Sequence, residues 1–161
     1  MITLANSNAR ILEPVQNLDY FDTQSADLSE EITPLEAWNL IMQEPQPILK
    51  QAFRVRDAVS SLFGVKKIAG FSGKIAQAVA VGDYLDFFLV EFSTPEVLVL
   101  TERDRHLDVM TCISTSGSVI SITSSVRVHN WFGHLYMLPV GIAHKWIVRS
   151  MLRRIRTKLQ K

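Results

Sequence analysis

Three of the four histidines in this chain, His129, His134 and His144, fall in one stretch, RVHNWFGHLYMLPVGIAHKW, from Arg127 to Trp146. Imidazole serves both as a metal ligand and as a proton carrier near neutral pH. A shared metal is the first chemistry to weigh. Zinc sites draw ligand pairs at short spacings, or two histidines one helical turn apart. His134 and His144 would stand roughly 15 Å apart along a continuous helix. No metal site is expected, and no cofactor.

A second group lies in RHLDVMTCIS. Strand alternation places His106, Asp108, Met110 and Cys112 on one face. A tight hairpin to the next strand would set Ser125, Arg127 and His129 beside them. His106, Asp108 and His129 are therefore candidate acid–base groups, with Arg127 as an anion contact. The plain alternative is a network of hydrogen bonds and ion pairs at the sheet rim. Cys112 has no cationic neighbour in sequence to lower its pKa, and no G-x-S-x-G frames a serine nucleophile.

His144 differs from both groups. On a helical projection it falls among Ile147, Val148, Met151 and Ile155, so it should look inward. Lys145, Arg149, Arg153 and Arg156 form a basic stripe on the opposite side. If the fold encloses a ligand, the expected contacts are His144, Tyr136, Met110, Arg127, Trp38 and Phe88, a few polar groups among aromatic and apolar ones.

The elements that must hold these residues follow from local signals. Asp19–Leu28 reads as a first strand. Thr33, Pro34 and Glu36 form a capping box with proline at the first helical position, starting a helix at TPLEAWNLIM. Pro45 and Pro47 end it, and a second helix is expected over Ile48–Phe63, closed by Gly64. Tyr84–Phe92, Glu96–Glu102, His106–Ser114 and Ser118–His129 read as strands joined by hairpin-like links, an antiparallel meander. SGKIAQAVAVG could add another. Asn130 caps a long final helix, Trp131–Leu159, interrupted by Pro139. Residues 1–17 are expected as a loose, irregular arm, and residues 18–161 as a single domain.

This order is α+β: a curved antiparallel sheet wrapped on a long C-terminal helix, with a helix pair after the first strand, the helix-grip layout. Such domains often enclose an apolar cavity between sheet and helix. At 161 residues, 47% hydrophobic and 20% charged, the chain is long enough for one substantial core. It has no apolar run long enough to span a bilayer and no signal-like start, and its one cysteine builds no disulfide framework. A cytoplasmic location is expected. Residues 109–161 carry eight of the 17 Lys/Arg and none of the 16 Asp/Glu. The balanced total favours compensation inside the domain over a nucleic-acid partner.

ERDRHLDVMTCIS, followed by SSVRVHNWFGHLYMLPVGIAHKWIVRSMLRRI, resembles domain of unknown function family 2867. The shared features are an acidic turn into His-Leu-Asp, a strand ending Val-x-x-His-Asn, then Gly-x-x-Tyr and a proline-containing helix with a later His. WNLIMQEPQPILKQAFRVRDAVSSLFGVK resembles the family's helical first half. The resemblance implies a START-like fold and supplies no catalytic residues. The expected function is a module binding an apolar or amphipathic small molecule between sheet and C-terminal helix. The alternatives are a cyclase- or hydrolase-like enzyme using His106, Asp108 and His129, and a surface module in weak contact with an anionic surface through the basic helix.

Overall fold

The computed structural model describes residues 1–43 and 72–160. The second helix expected over Ile48–Phe63 lies outside these residues. Two short strands, β1 (Ile2–Thr3) and β2 (Arg10–Ile11), form an antiparallel pair. β3 (Tyr20–Asp27) and α1 (Pro34–Met42) follow. Then come β4 (Tyr84–Leu85), β5 (Phe88–Ser93), β6 (Val97–Arg103), β7 (Leu107–Ser116) and β8 (Val119–Val128). The long helix α2 (Trp131–Leu159) ends the chain. The main sheet is antiparallel throughout, in the order β3-β8-β7-β6-β5-β4. The fold is α+β, in the helix-grip layout.

Local chemistry accounts for the boundaries. The Thr33 hydroxyl accepts from the Glu36 backbone N–H, and the Glu36 carboxylate accepts from the Thr33 N–H at 2.7 Å. These bonds from Thr33 hold the Glu36 carboxyl below its usual range. Asn130 caps α2 by accepting from Gly133 N–H at 3.1 Å. The β7–β8 hairpin turns through Gly117, whose φ of 56° suits a residue without Cβ.

Two expectations for the middle of the chain change. Tyr84–Phe92 is not one strand: Asp86, at φ 57°, turns the chain so that β4 folds back on β5. Aspartate tolerates that left-handed backbone better than most residues. SGKIAQAVAVG, residues 72–82, supplies no strand. The Asn39 side chain on α1 takes the place of a ladder partner there, donating to the Ala76 carbonyl at 2.8 Å and accepting from the Ala76 N–H at 3.0 Å.

Both faces of the sheet are covered. On one side Leu98, Leu100, Ile113, Ile120 and Ile122 meet Trp38 and Ile41 of α1 and Val148, Leu152 and Ile155 of α2. Further along this face, Leu107, Val126 and Val128 meet Tyr136 and Met137 of α2. On the other side the N-terminal arm packs rather than hanging loose. Ala9 and Leu12 close over Val97, Val99, Met110 and Cys112. The arm is also tied by hydrogen bonds, with the Leu12 N–H donating to Ser125 Oγ and the Arg10 N–H to Cys112 Sγ. The Arg10 guanidinium stacks 3.5 Å above the Phe92 ring, and Ala9 and Leu12 supply the apolar cover that polar flanking residues mask in the sequence.

Candidate functional site

The contact between β3 and α2 carries most of the polar chemistry of the helix side. Alternation along β3 turns Tyr20, Asp22, Gln24 and Ala26 toward α2. The Tyr20 hydroxyl donates to the Gly141 carbonyl at 3.3 Å, and Gln24 Nε2 donates to the Lys145 carbonyl at 3.1 Å. Gly141 permits this approach, since a Cβ there would lie 3.1 Å from the Tyr20 ring. Gln24 also donates to the Asp22 carboxylate at 2.8 Å.

His144 lies inside this seam. Its Nε2 is 3.4 Å from Ser124 Oγ on β8, and its ring meets Tyr20 edge-on at 5.8 Å. Nδ1 is closed off from solvent and has no hydrogen-bond partner among the described residues. Burial pulls the His144 pKa below its ordinary value, while the nearby Asp22 charge pulls the other way. Burial, with Asp22 adding to it, pushes Tyr20 up to about 12. The ring is therefore neutral at pH 7, and the inward orientation expected from the helical projection is what the structure has.

Of the expected ligand contacts, the structure divides the set between the two faces. Trp38 and Phe88 stand together on the helix side, edge-to-face at 6.0 Å, and Tyr136 packs with Leu107, Val126 and Val128. Met110 and Arg127 point to the other face, away from His144. Met110 belongs to the core under the N-terminal arm. Arg127 reaches Asp19 at 3.5 Å and Glu13 at 3.6 Å, and donates to the Asn17 carbonyl. Alternation predicted this separation, because Met110 and Arg127 occupy positions opposite in phase to Val109 and Val126.

The candidate acid–base group also divides. Asp108 stands opposite Arg127 in the β7–β8 register, and its carboxylate lies 3.1 Å from His129 Nε2 at the exposed strand end. His106 does not join them. β7 begins only at Leu107, and His106 sits in the preceding turn, where Asp104 accepts from both the His106 and Leu107 N–H groups. The His106 ring accepts from Arg105 at Nε2 and pairs Nδ1 with the Asn130 side-chain carbonyl at 3.1 Å. It also lies edge-on to Phe132 at 4.8 Å. Nδ1 thus ties the β6–β7 turn to the N-cap of α2, while Nε2 is bonded within the turn itself. His134 is exposed, 4.0 Å from Asp19. The four histidines have four environments, and no three His, Cys, Asp or Glu side chains converge on a metal-binding point among the described residues. Cys112 is buried, and burial raises its thiol pKa.

Beyond His144 the β3–α2 seam widens. A groove of about 580 Å³ opens between Gln24 and Ala26 of β3 and Arg149, Leu152, Arg153 and Arg156 of α2. Leu152 is buried and Ala26 half-buried, so the floor is apolar while the rim carries three guanidinium groups. Among the described residues, none of Lys145, Arg149, Arg153 or Arg156 is in an ion pair. The sequence marked the basic stripe; what it did not mark is the strip of sheet, Gln24 to Ala26, that turns the stripe into the wall of a groove.

A six-stranded sheet gripping one long helix, with its polar seam along the first strand, defines a helix-grip α+β protein. The chain belongs to the family described as Protein of unknown function (DUF2867), whose model matches residues 14–151. Neither a curated protein nor a solved structure gives a match. No helix among the described residues is long and apolar enough to cross a membrane.

Proposed function

We propose that this protein binds an anionic, amphipathic small molecule in the groove between β3 and the C-terminal half of α2. The observation that carries the reading is the groove itself: an apolar floor of Ala26 and Leu152 beneath three arginines. Arg149, Arg153 and Arg156 follow one another at helical-turn spacing, so a carboxylate or phosphate head could engage more than one guanidinium. An alkyl part would lie along the floor. The helix-grip layout supports the START-like kinship expected from the sequence, in which ligands sit between sheet and helix. The ligand position moves from beneath His144, where Ser124 and Tyr20 already fill the contact, to about two turns further along α2.

Titration with decyl phosphate, decanol and inorganic phosphate, each kept below micelle formation, tests the reading. Trp146, beside Arg149, provides the fluorescence signal. Decyl phosphate should bind at one site, decanol and phosphate at least about tenfold more weakly. The triple variant Arg149→Gln, Arg153→Gln, Arg156→Gln should lose that preference. Equal binding of decanol, no binding of decyl phosphate, or an unchanged triple variant would each overturn the proposal.

A further inference from the structure

The side of α2 turned away from the sheet carries a row of large apolar residues facing solvent. Trp131, Leu135, Leu138, Ile142 and Trp146 are 69%, 55%, 68%, 68% and 67% exposed. Their spacings of four, three, four and four residues place them in one line about 22 Å long. Single exposed apolar side chains are ordinary on a protein surface; five in register are not. The buried residues of the same stretch, among them Gly141, Val148, Leu152 and Ile155, lie on a separate arc about 100° round the helix.

The row does not stop at Trp146. Continued at the same spacing, it becomes Arg149, Arg153 and Arg156, with Lys145 at its flank. One face of α2 is thus apolar over about its first four turns and cationic over about the next two. No acidic residue occurs anywhere from residue 109 to residue 161. This charge distribution selects among occupants. A second copy packed parallel would oppose arginines with arginines. Packed antiparallel, it would press arginines onto the apolar half. Either way the cations find no counter-charge. An anionic bilayer surface satisfies both halves at once, apolar side chains entering the acyl boundary while guanidinium groups meet the headgroups. Tryptophans at both ends of the apolar row suit the same setting, because the indole combines an apolar body with a polar N–H.

We infer that the outward face of α2 lies flat on anionic lipid membranes, with Trp131, Leu135, Leu138, Ile142 and Trp146 inserted and Arg149, Arg153 and Arg156 at the headgroups. This goes beyond the groove reading, since the apolar row lies outside the groove. The arginines serve both, so the apolar residues give the separate test.

Full-length protein sedimented with vesicles of phosphatidylcholine and phosphatidylglycerol should bind, and binding should weaken steeply with salt. Vesicles of phosphatidylcholine alone should bind far less. Brominated acyl chains should quench the exposed tryptophans. Leu138→Glu with Ile142→Glu should reduce binding at least about tenfold, with the melting temperature unchanged and decyl phosphate binding retained. Three results would overturn the inference. The first is no binding to mixed vesicles at low salt, and the second is undiminished binding by the double variant. The third is a stable dimer, by light scattering, that the double variant converts to monomer, which would make the row a subunit contact.

Discussion

Replacing His144 with phenylalanine isolates the energetics of the polar seam. The ring keeps its edge-on position against Tyr20 but can no longer take a proton. In the unfolded chain the imidazole titrates near its ordinary 6.5, whereas in the folded chain burial lowers that value. Above 6.5 both states are neutral and His144 adds no pH dependence. As the pH falls through 6.5, the unfolded chain takes up the proton first, so stability declines until the folded pKa is reached. At about pH 5.5 this proton uptake is worth a ceiling of about 1.4 kcal/mol. For a domain of this size that is a melting temperature about 3–6 °C lower. Urea unfolding at about pH 7.5 and pH 5.5 measures the difference. Wild type should lose up to about 1.4 kcal/mol more than His144→Phe between the two conditions. The other three histidines and all the carboxylates are common to both proteins and cancel in the comparison. Equal losses would refute the reasoning, because they would mean that the folded chain accommodates the charged ring as readily as water does.

Two further substitutions probe the frame. Gly133→Ala should gain about 1 kcal/mol of helix propensity. The new Cβ would nevertheless lie 2.7 Å from the His106 carbonyl oxygen, which is fixed backbone, and 2.6 Å from Val128 Cγ1. Overpacking of this kind outweighs propensity, and a net loss of about 2 kcal/mol is expected by chemical denaturation. Gly141→Ala, facing only the movable Tyr20 ring at 3.1 Å, should be closer to neutral. The Cys112 thiol, buried and raised in pKa, should resist a disulfide exchange reagent in the native state and react at once in urea.

Much of the frame was legible because local chemistry dictates it. Thr33, Pro34 and Glu36 announce α1, Asn130 announces α2, and the hairpin links order the meander. The site was less legible, for physical reasons. His106 precedes the first ladder residue, so strand alternation says nothing about its ring. Met110 and Arg127 have side chains suited to a pocket at His144, but strand parity sets them on the other face of the sheet. The N-terminal arm looked loose because its few apolar residues, Ala9, Ile11 and Leu12, sit among polar ones and gain a partner only from strands some hundred residues away. The exposed row on α2 was hidden for the converse reason. Trp131, Leu135, Leu138, Ile142 and Trp146 are residues that composition assigns to a core, and only the position of the helix on the sheet shows that they face outward.

The pairing of β3 with β8 also governs how this chain can be made. Thr23 and Thr123 join their hydroxyls across 100 residues, and the arm reaches further still, from Leu12 to Ser125. At a synthesis rate of about 5–20 residues per second, the first long strand leaves the ribosome roughly 5–20 seconds before its neighbour exists. During that interval the Tyr20–Asp27 edge has no ladder partner and the apolar positions of the arm have no sheet to cover. The nascent chain is therefore most vulnerable to misassociation before β8 emerges, and a ribosome-stalled product ending ahead of Val119 should need a chaperone to stay in solution.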